Sequence, residues 1–166
     1  MAITELYETP ESIIGACLSA TALAPAEFPP DLPTTPLLLG APGWYDFEWQ
    51  AWAIGEAVRR SLKDKPQFRR NVSVTDAICS VAVCRNLRRG RQSFVMSLGY
   101  TTAASCSPAI AQLLYDPDVD GHAVDTLLKM QVSGYGAEVA DLSRHKHAWI
   151  RRLAKRYAER YGVPPN

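Results

Sequence analysis

Leu113-Leu114-Tyr115-Asp116-Pro117-Asp118-Val119-Asp120-Gly121-His122-Ala123 is the stretch on which the reading of this chain turns. Asp116-Pro117 stops one helix and opens another, because proline has no N–H for a helix interior yet fits the first helical turn. Before it, Ile110, Leu113 and Leu114 form an apolar face behind a Ser107-Pro108 start. After it, Val119, Ala123, Leu127 and Met130 recur at i, i+4, i+8 and i+11, which is helical spacing. Two short helices therefore meet at a tight turn.

The same pattern extends in both directions. Downstream, Gly134 and Gly136 break the chain, Val139 and Leu142 mark a short helix, and a last helix runs from about His147 to Tyr161. Its apolar side is Ile150, Leu153, Ala154, Tyr157 and Tyr161, and Gly162 and Pro164 stop it. Upstream, Phe94, Val95 and Leu98 form a stripe closed by Gly99, behind a break at Arg88-Arg89-Gly90. Ile78, Val81 and Ala82 form another, with Ser73 expected as its N-cap and Asp76 three residues on. Trp49, Trp52, Ala53, Glu56 and Ala57 also follow helical spacing and are read as an apolar face. No strand is expected.

The first 43 residues are read as a separate region, a helix and a proline-rich strap that pack on one end or face of a repeat domain over 44–166. Thr9-Pro10-Glu11 starts a helix that ends by Pro25. Residues 25–43 then contain six prolines with Gly40 and Gly43, which suits an extended surface connection, with Leu37, Leu38 and Leu39 as its docking point.

The helices pair, and the pairs repeat. Ile110 and Leu113 match Val139 and Leu142 at a spacing of 29 residues, Val119 and Ala123 match Ile150 and Ala154 at 31, and Ile78 and Val81 match Ile110 and Leu113 at 32. A helix-turn-helix unit of this length cannot bury its shared apolar side alone, so units stack. The Leu113–Ala123 stretch resembles the HEAT-repeat motif, and Ala148-Trp149-Ile150-Arg151-Arg152-Leu153-Ala154-Lys155-Arg156 resembles its next-repeat form. Trp52–Ala57 and Arg89–Gly99 are similar to the preceding repeats of small bacterial HEAT-repeat proteins of the phycobilisome-lyase type. The resemblance covers about residues 49–160 and implies an all-α, right-handed HEAT-like solenoid of about three helix pairs, with the proline-rich segment as a strap. Helices near 90–99, 118–130 and 147–161 would line one face, the surface such solenoids use for binding.

Charge is divided along the chain. Residues 1–58 carry eight acidic side chains and no Lys or Arg; residues 59–166 carry all 18 basic ones against nine acidic, a net of +9. Two basic clusters stand out, Arg88, Arg89 and Arg91, and the run containing Arg151, Arg152, Lys155 and Arg156. With Lys129 and Trp149 these form the candidate binding surface, suited to an acidic protein or to phosphates. The acidic first 58 residues are expected to lie across this surface, so that deleting residues 1–42 would strengthen binding of an anionic partner.

Other residue groups are read structurally. His122 after Gly121 is expected as a wedge between repeats with a hydrogen bond to backbone. His145-Lys146-His147 reads as a capped turn, not as metal ligands with His122. Asp116, Asp118 and Asp120 begin like a calcium loop, but position twelve is Leu127, where that loop needs Glu. Cys17, Cys79, Cys84 and Cys106 form no C-x-x-C pair and are read as buried free thiols. Ser12–Ala24 is apolar, but Glu5, Glu8 and Glu11 precede it where a signal peptide needs basic residues. No apolar run reaches membrane-spanning length. A cytoplasmic location is therefore expected.

No G-x-S-x-G, P-loop or H-E-x-x-H pattern is present. The expectation is thus a non-enzymatic protein-binding module, of the adaptor, inhibitor or immunity type, with no cofactor, no metal and no membrane partner. The resemblance leaves two alternatives: a nucleic-acid-binding protein akin to the HEAT-like alkylpurine DNA glycosylases, and a bilin-lyase-type subunit.

Overall fold

A computed structural model describes residues 6–27, 34–35, 43–102 and 104–162. The described chain is mostly helical. Eight α-helices follow in order: α1 (Pro10–Ala22), α2 (Asp46–Asp64), α3 (Val72–Ala82), α4 (Gln92–Leu98), α5 (Ser107–Gln112), α6 (Asp120–Lys129), α7 (Gly136–Ala140) and α8 (Ala148–Tyr161). Short 3-10 segments at Pro66–Arg70, Arg85–Arg91, Leu113–Tyr115 and Asp141–Arg144 make the turns between them.

Local chemistry sets these boundaries. Thr9 and Ser12 cap α1 reciprocally, each side chain accepting from the other's backbone N–H at 3.1 Å. Asn71, not Ser73, caps α3: its Oδ1 accepts from the Val74 N–H at 3.0 Å. The helix thus starts two residues earlier than expected, and Ser73 lies inside its first turn. Gly162, at φ 77°, ends α8 in a conformation that costs glycine little.

Neighbour relations follow chain order. α2 packs on α4, α4 on α6 and α6 on α8, while α1 packs on α2 and α3, α3 on α4, α5 on α6 and α7 on α8. One buried cluster runs through the whole, from Ile13, Ala16, Cys17 and Ala20 of α1 to Ile150, Ala154 and Tyr157 of α8. The expected stripes Ile78/Val81/Ala82, Phe94/Val95/Leu98, Ile110/Leu113/Leu114 and Val119/Ala123/Leu127 are all buried in it.

Of the stripe read for α2, Ala57 is buried, but Trp49, Trp52, Ala53 and Glu56 are not. Its buried line is Glu48, Ala51, Gly55, Val58 and Leu62, whereas Trp49 is 42% exposed. The cause is the close approach of α4. A side chain at Gly55 would collide with Ser93 and would lie 2.8 Å from the Phe94 ring, so none fits at that crossing point. The indoles instead cover one another: Trp49 stacks on Trp52 with centroids 5.2 Å apart, and Trp44 meets Trp52 edge-on at 6.4 Å.

Among the described residues, strand is limited to one two-residue antiparallel pair, Thr34 with Tyr45 and Thr35 with Trp44, a pairing the sequence did not suggest. Leu37, Leu38 and Leu39 lie outside the described residues. Cys17, Cys79, Cys84 and Cys106 are free; Cys17 and Cys106 are buried, and Cys79 and Cys84 are half-buried. Burial pushes the Cys17 and Cys79 thiols up to about 12, which keeps them protonated and unreactive at neutral pH.

Candidate functional site

The two basic clusters have different surroundings. Arg91 is 1% exposed. Its guanidinium donates to the Arg88 and Ala82 carbonyls at 2.9 and 3.2 Å and to Asp116 Oδ2 at 2.5 Å. Arg89 grips the fully buried Glu48: its backbone N–H and Nε donate to Oε1 at 3.1 and 3.2 Å, and its terminal nitrogen donates to Oε2 at 3.0 Å. The Tyr45 N–H adds a bond to Oε2 at 2.9 Å, and the Arg89 guanidinium also lies 5.1 Å from the Trp44 ring. Arg88, held at φ 48°, faces Asp118 at 3.8 Å and the Tyr45 ring at 5.4 Å. The structure thus turns Arg88, Arg89 and Arg91 toward the joints between α2, the Arg85–Arg91 segment and the start of α6.

The acids that resembled a calcium loop are divided the same way. Asp116 takes Arg91, Asp118 takes Arg88, and Asp120 Oδ2 lies 3.3 Å from His145 Nε2. Burial is the main influence on Asp118 and Asp120 and raises both above the ordinary carboxylate value. His145 Nδ1 accepts the His147 N–H at 3.1 Å, closing the turn before α8. Among the described residues, no group of three His, Cys, Asp or Glu side chains is placed to hold a metal.

Helix α8 presents the remaining cations outward. Trp149, Arg156 and Arg160 lie at i, i+7 and i+11 along one flank, and Arg152, at i+3, lies between that flank and the one that carries Lys155. Trp149, 39% exposed, leans on α6: a side chain at Gly121 would collide with its ring and would lie 2.7 Å from Ile150 Cγ1. The His122 ring sits 5.4 Å from the Trp149 ring. Burial lowers the His122 pKa, so the imidazole is neutral at physiological pH. Its ring lies beside Trp149, and no hydrogen bond joins it to backbone among the described residues. Lys129 completes this side, paired with Asp125 at 2.6 Å.

The opposite flank of α8 carries Arg151 and Lys155. Arg151 donates to the His145 and Lys146 carbonyls at 2.7 and 3.0 Å, and Lys155 leans toward Glu159 at 3.7 Å. Among the described residues no carboxylate lies within ion-pair distance of Arg152 or Arg156. An open groove of about 570 Å³ runs along this flank, floored by Ala140, Ala148, Ala154 and Ala158 and rimmed by Arg151, Arg152 and Lys155.

The acidic N-terminal region does not reach this surface in its described part. Glu8 pairs with Lys65, Glu48 with Arg89 and Glu56 with Arg59, and α1 packs on α2 and α3 at the other end of the helix series. Of the candidate basic face, the described acids reach Arg89, through Glu48; none of Glu8, Glu48 and Glu56 pairs with a cation of α8. Sequence reading also missed Glu48 as a buried charge and the alanine floor. Ala154 and Ala158, four residues apart and so on one face of the helix, were the available signal for the floor.

No helix among the described residues is long and apolar enough to cross a membrane. Comparison with known protein families, curated proteins and solved structures finds no match.

Proposed function

We propose that the chain is a non-enzymatic protein-binding module, a HEAT-like solenoid that engages its partner through α8 and the adjoining side of α6. The succession of α2, α4, α6 and α8 as neighbours in chain order supports the solenoid reading, with α1, α3, α5 and α7 as their pair-mates. The observation that carries the binding reading is the Trp149–Arg152–Arg156 stripe, an exposed aromatic beside cations that no described carboxylate neutralises. An aromatic ring with arginines is the composition that protein interfaces favour.

The helix dipole does not explain these cations. Lys and Arg are favoured in a last turn, and Arg160 alone sits in the last turn of α8. Arg151 and Arg152 lie near the positive end, where the dipole gives them no help. A role toward an acidic partner accounts for their position.

The test is capture from native lysate with nuclease and a salt series, using the wild type and Arg152→Glu/Arg156→Glu. The expected result is one stoichiometric protein that survives nuclease and is lost in the variant. Recovery of nucleic acid alone, falling steeply with salt as counterion release demands, would overturn the protein-binding reading.

A further inference from the structure

The last edge of the helix series differs from every earlier one. α2, α4 and α6 are each followed by a helix that packs on them; among the described residues no element packs on the far side of α7 and α8. At that edge lies the 570 Å³ groove, with four alanines as its floor and three cations on its rim. Alanine side chains let another backbone come close. The rim has one sign of charge, and no carboxylate lines the groove. Its cations are not silenced by their neighbours: Arg151 uses one terminal nitrogen on two carbonyls, and the Lys155–Glu159 pair is long and fully in solvent, where ion pairs are weak.

From this, and resting on the protein-binding reading above, we propose that the α7–α8 groove docks an acidic helical segment of a partner protein. Small side chains of the incoming helix meet Ala140, Ala148 and Ala158 above the buried Ala154, and its carboxylates meet Arg151, Arg152 and Lys155. This is a helix laid in a groove, with cations fixing its register. A nucleic acid suits the groove less well. Single strands stack their bases on aromatic rings, and the nearest such ring, Trp149, lies on the opposite flank of α8 against Gly121 and His122.

The probe is a capped, fluorescent peptide of about 16 residues, long enough to hold a helix, with glutamates along one side and alanines along the other. Its scrambled sequence is the control. Binding is read by anisotropy, and its location by alanine-methyl NMR of the full chain. The expected result is movement of the Ala140, Ala148, Ala154 and Ala158 methyl signals, with little binding of the scrambled peptide. Arg151→Glu/Lys155→Glu should weaken binding by about tenfold or more, the scale of losing charge-assisted hydrogen bonds. Lys63→Glu/Arg70→Glu makes the same change in net charge on exposed residues elsewhere and should leave binding near the wild-type level.

Equal binding of the scrambled peptide, or equal weakening in the Lys63/Arg70 variant, would show attraction by charge alone and overturn the proposal. So would an oligothymidylate that moves the same methyl signals and displaces the peptide. Peptide binding that perturbs the Trp149 indole and leaves the alanine methyls still would remove the groove while leaving the protein-binding reading standing. Absence of peptide binding would also remove it, and the lysate capture then decides separately whether that wider reading falls.

Discussion

Arg91 and Glu48 are charged side chains shielded from water, and each is held by a partner far along the chain: Asp116 for Arg91, Arg89 for Glu48. Removing one member of such a pair leaves the other charged and buried. Asp116→Ala is therefore expected to lower the free energy of unfolding by about 3–5 kcal/mol, read by urea titration. Neither burial was legible in the sequence. A glutamate in the first turn of a helix reads as a solvated cap, and an Arg-Arg-Gly-Arg run reads as a basic surface. What holds them is contact with distant chain: Glu48 meets the Arg89 backbone 41 residues away, and Arg91 meets Asp116 25 residues away. His122 gives a residue-scale prediction of a different kind. Burial, the largest influence, lowers its pKa below the ordinary 6.5; Asp125 opposes this and Lys129 adds to it. The unfolded chain then takes up the proton more readily, so stability is lost as pH falls below the unfolded value. The urea midpoint is expected to drop between about pH 7.5 and 5.5, and to drop less in His122→Gln. Asp118 and Asp120, raised by burial, act with the opposite sign at more acidic pH: their contribution is present below the unfolded value of 3.8 and lost as pH rises through the folded one.

At the scale of the element, α6 and α8 were legible because their apolar residues keep helical spacing and nothing else on those helices competes with them. α2 was misread because Trp49 and Trp52 have the spacing of a core face and the size to dominate it. The face that packs has Ala51, Gly55 and Val58, which a pattern of bulk does not notice. This inverts the usual ranking by side-chain size. Leu62→Ala, at a fully buried position, should cost about 2–5 kcal/mol, and Trp49→Ala clearly less, both measured by urea unfolding followed by circular dichroism. Gly121 marks the corresponding close approach between α6 and α8. Gly121→Ala should cost about 1–3 kcal/mol through forced displacement of Trp149, and should shift the tryptophan emission as that ring moves. The alanine groove went unread for a similar reason: small residues on a helix flank are silent until the neighbouring element shows what they leave open.

For the whole molecule, the expectation that the N-terminal helix packs on one end or face of the helical part agrees with α1 lying on α2 and α3, but the depth of its burial was not legible. The proline-rich connection says where regular structure stops and gives no direction for what comes before it. The structure places α1 inside the common core, with Ile13 and Ala20 fully buried against α2 and α3. Deleting residues 1–24 is thus expected to uncover the α2–α3 surface and to remove the cooperative unfolding transition seen by circular dichroism and tryptophan fluorescence, rather than to release a binding face. α1 also has an awkward birth order. It leaves the ribosome before both helices that receive it, and α3, the later of them, is complete only at Ala82, about 60 residues after Ala22. At translation rates of about 5–20 residues per second, its apolar side waits roughly 3–12 s for that helix. During that interval the first helix is a ready client for a chaperone, and slower translation through the proline-rich connection would lengthen the exposure.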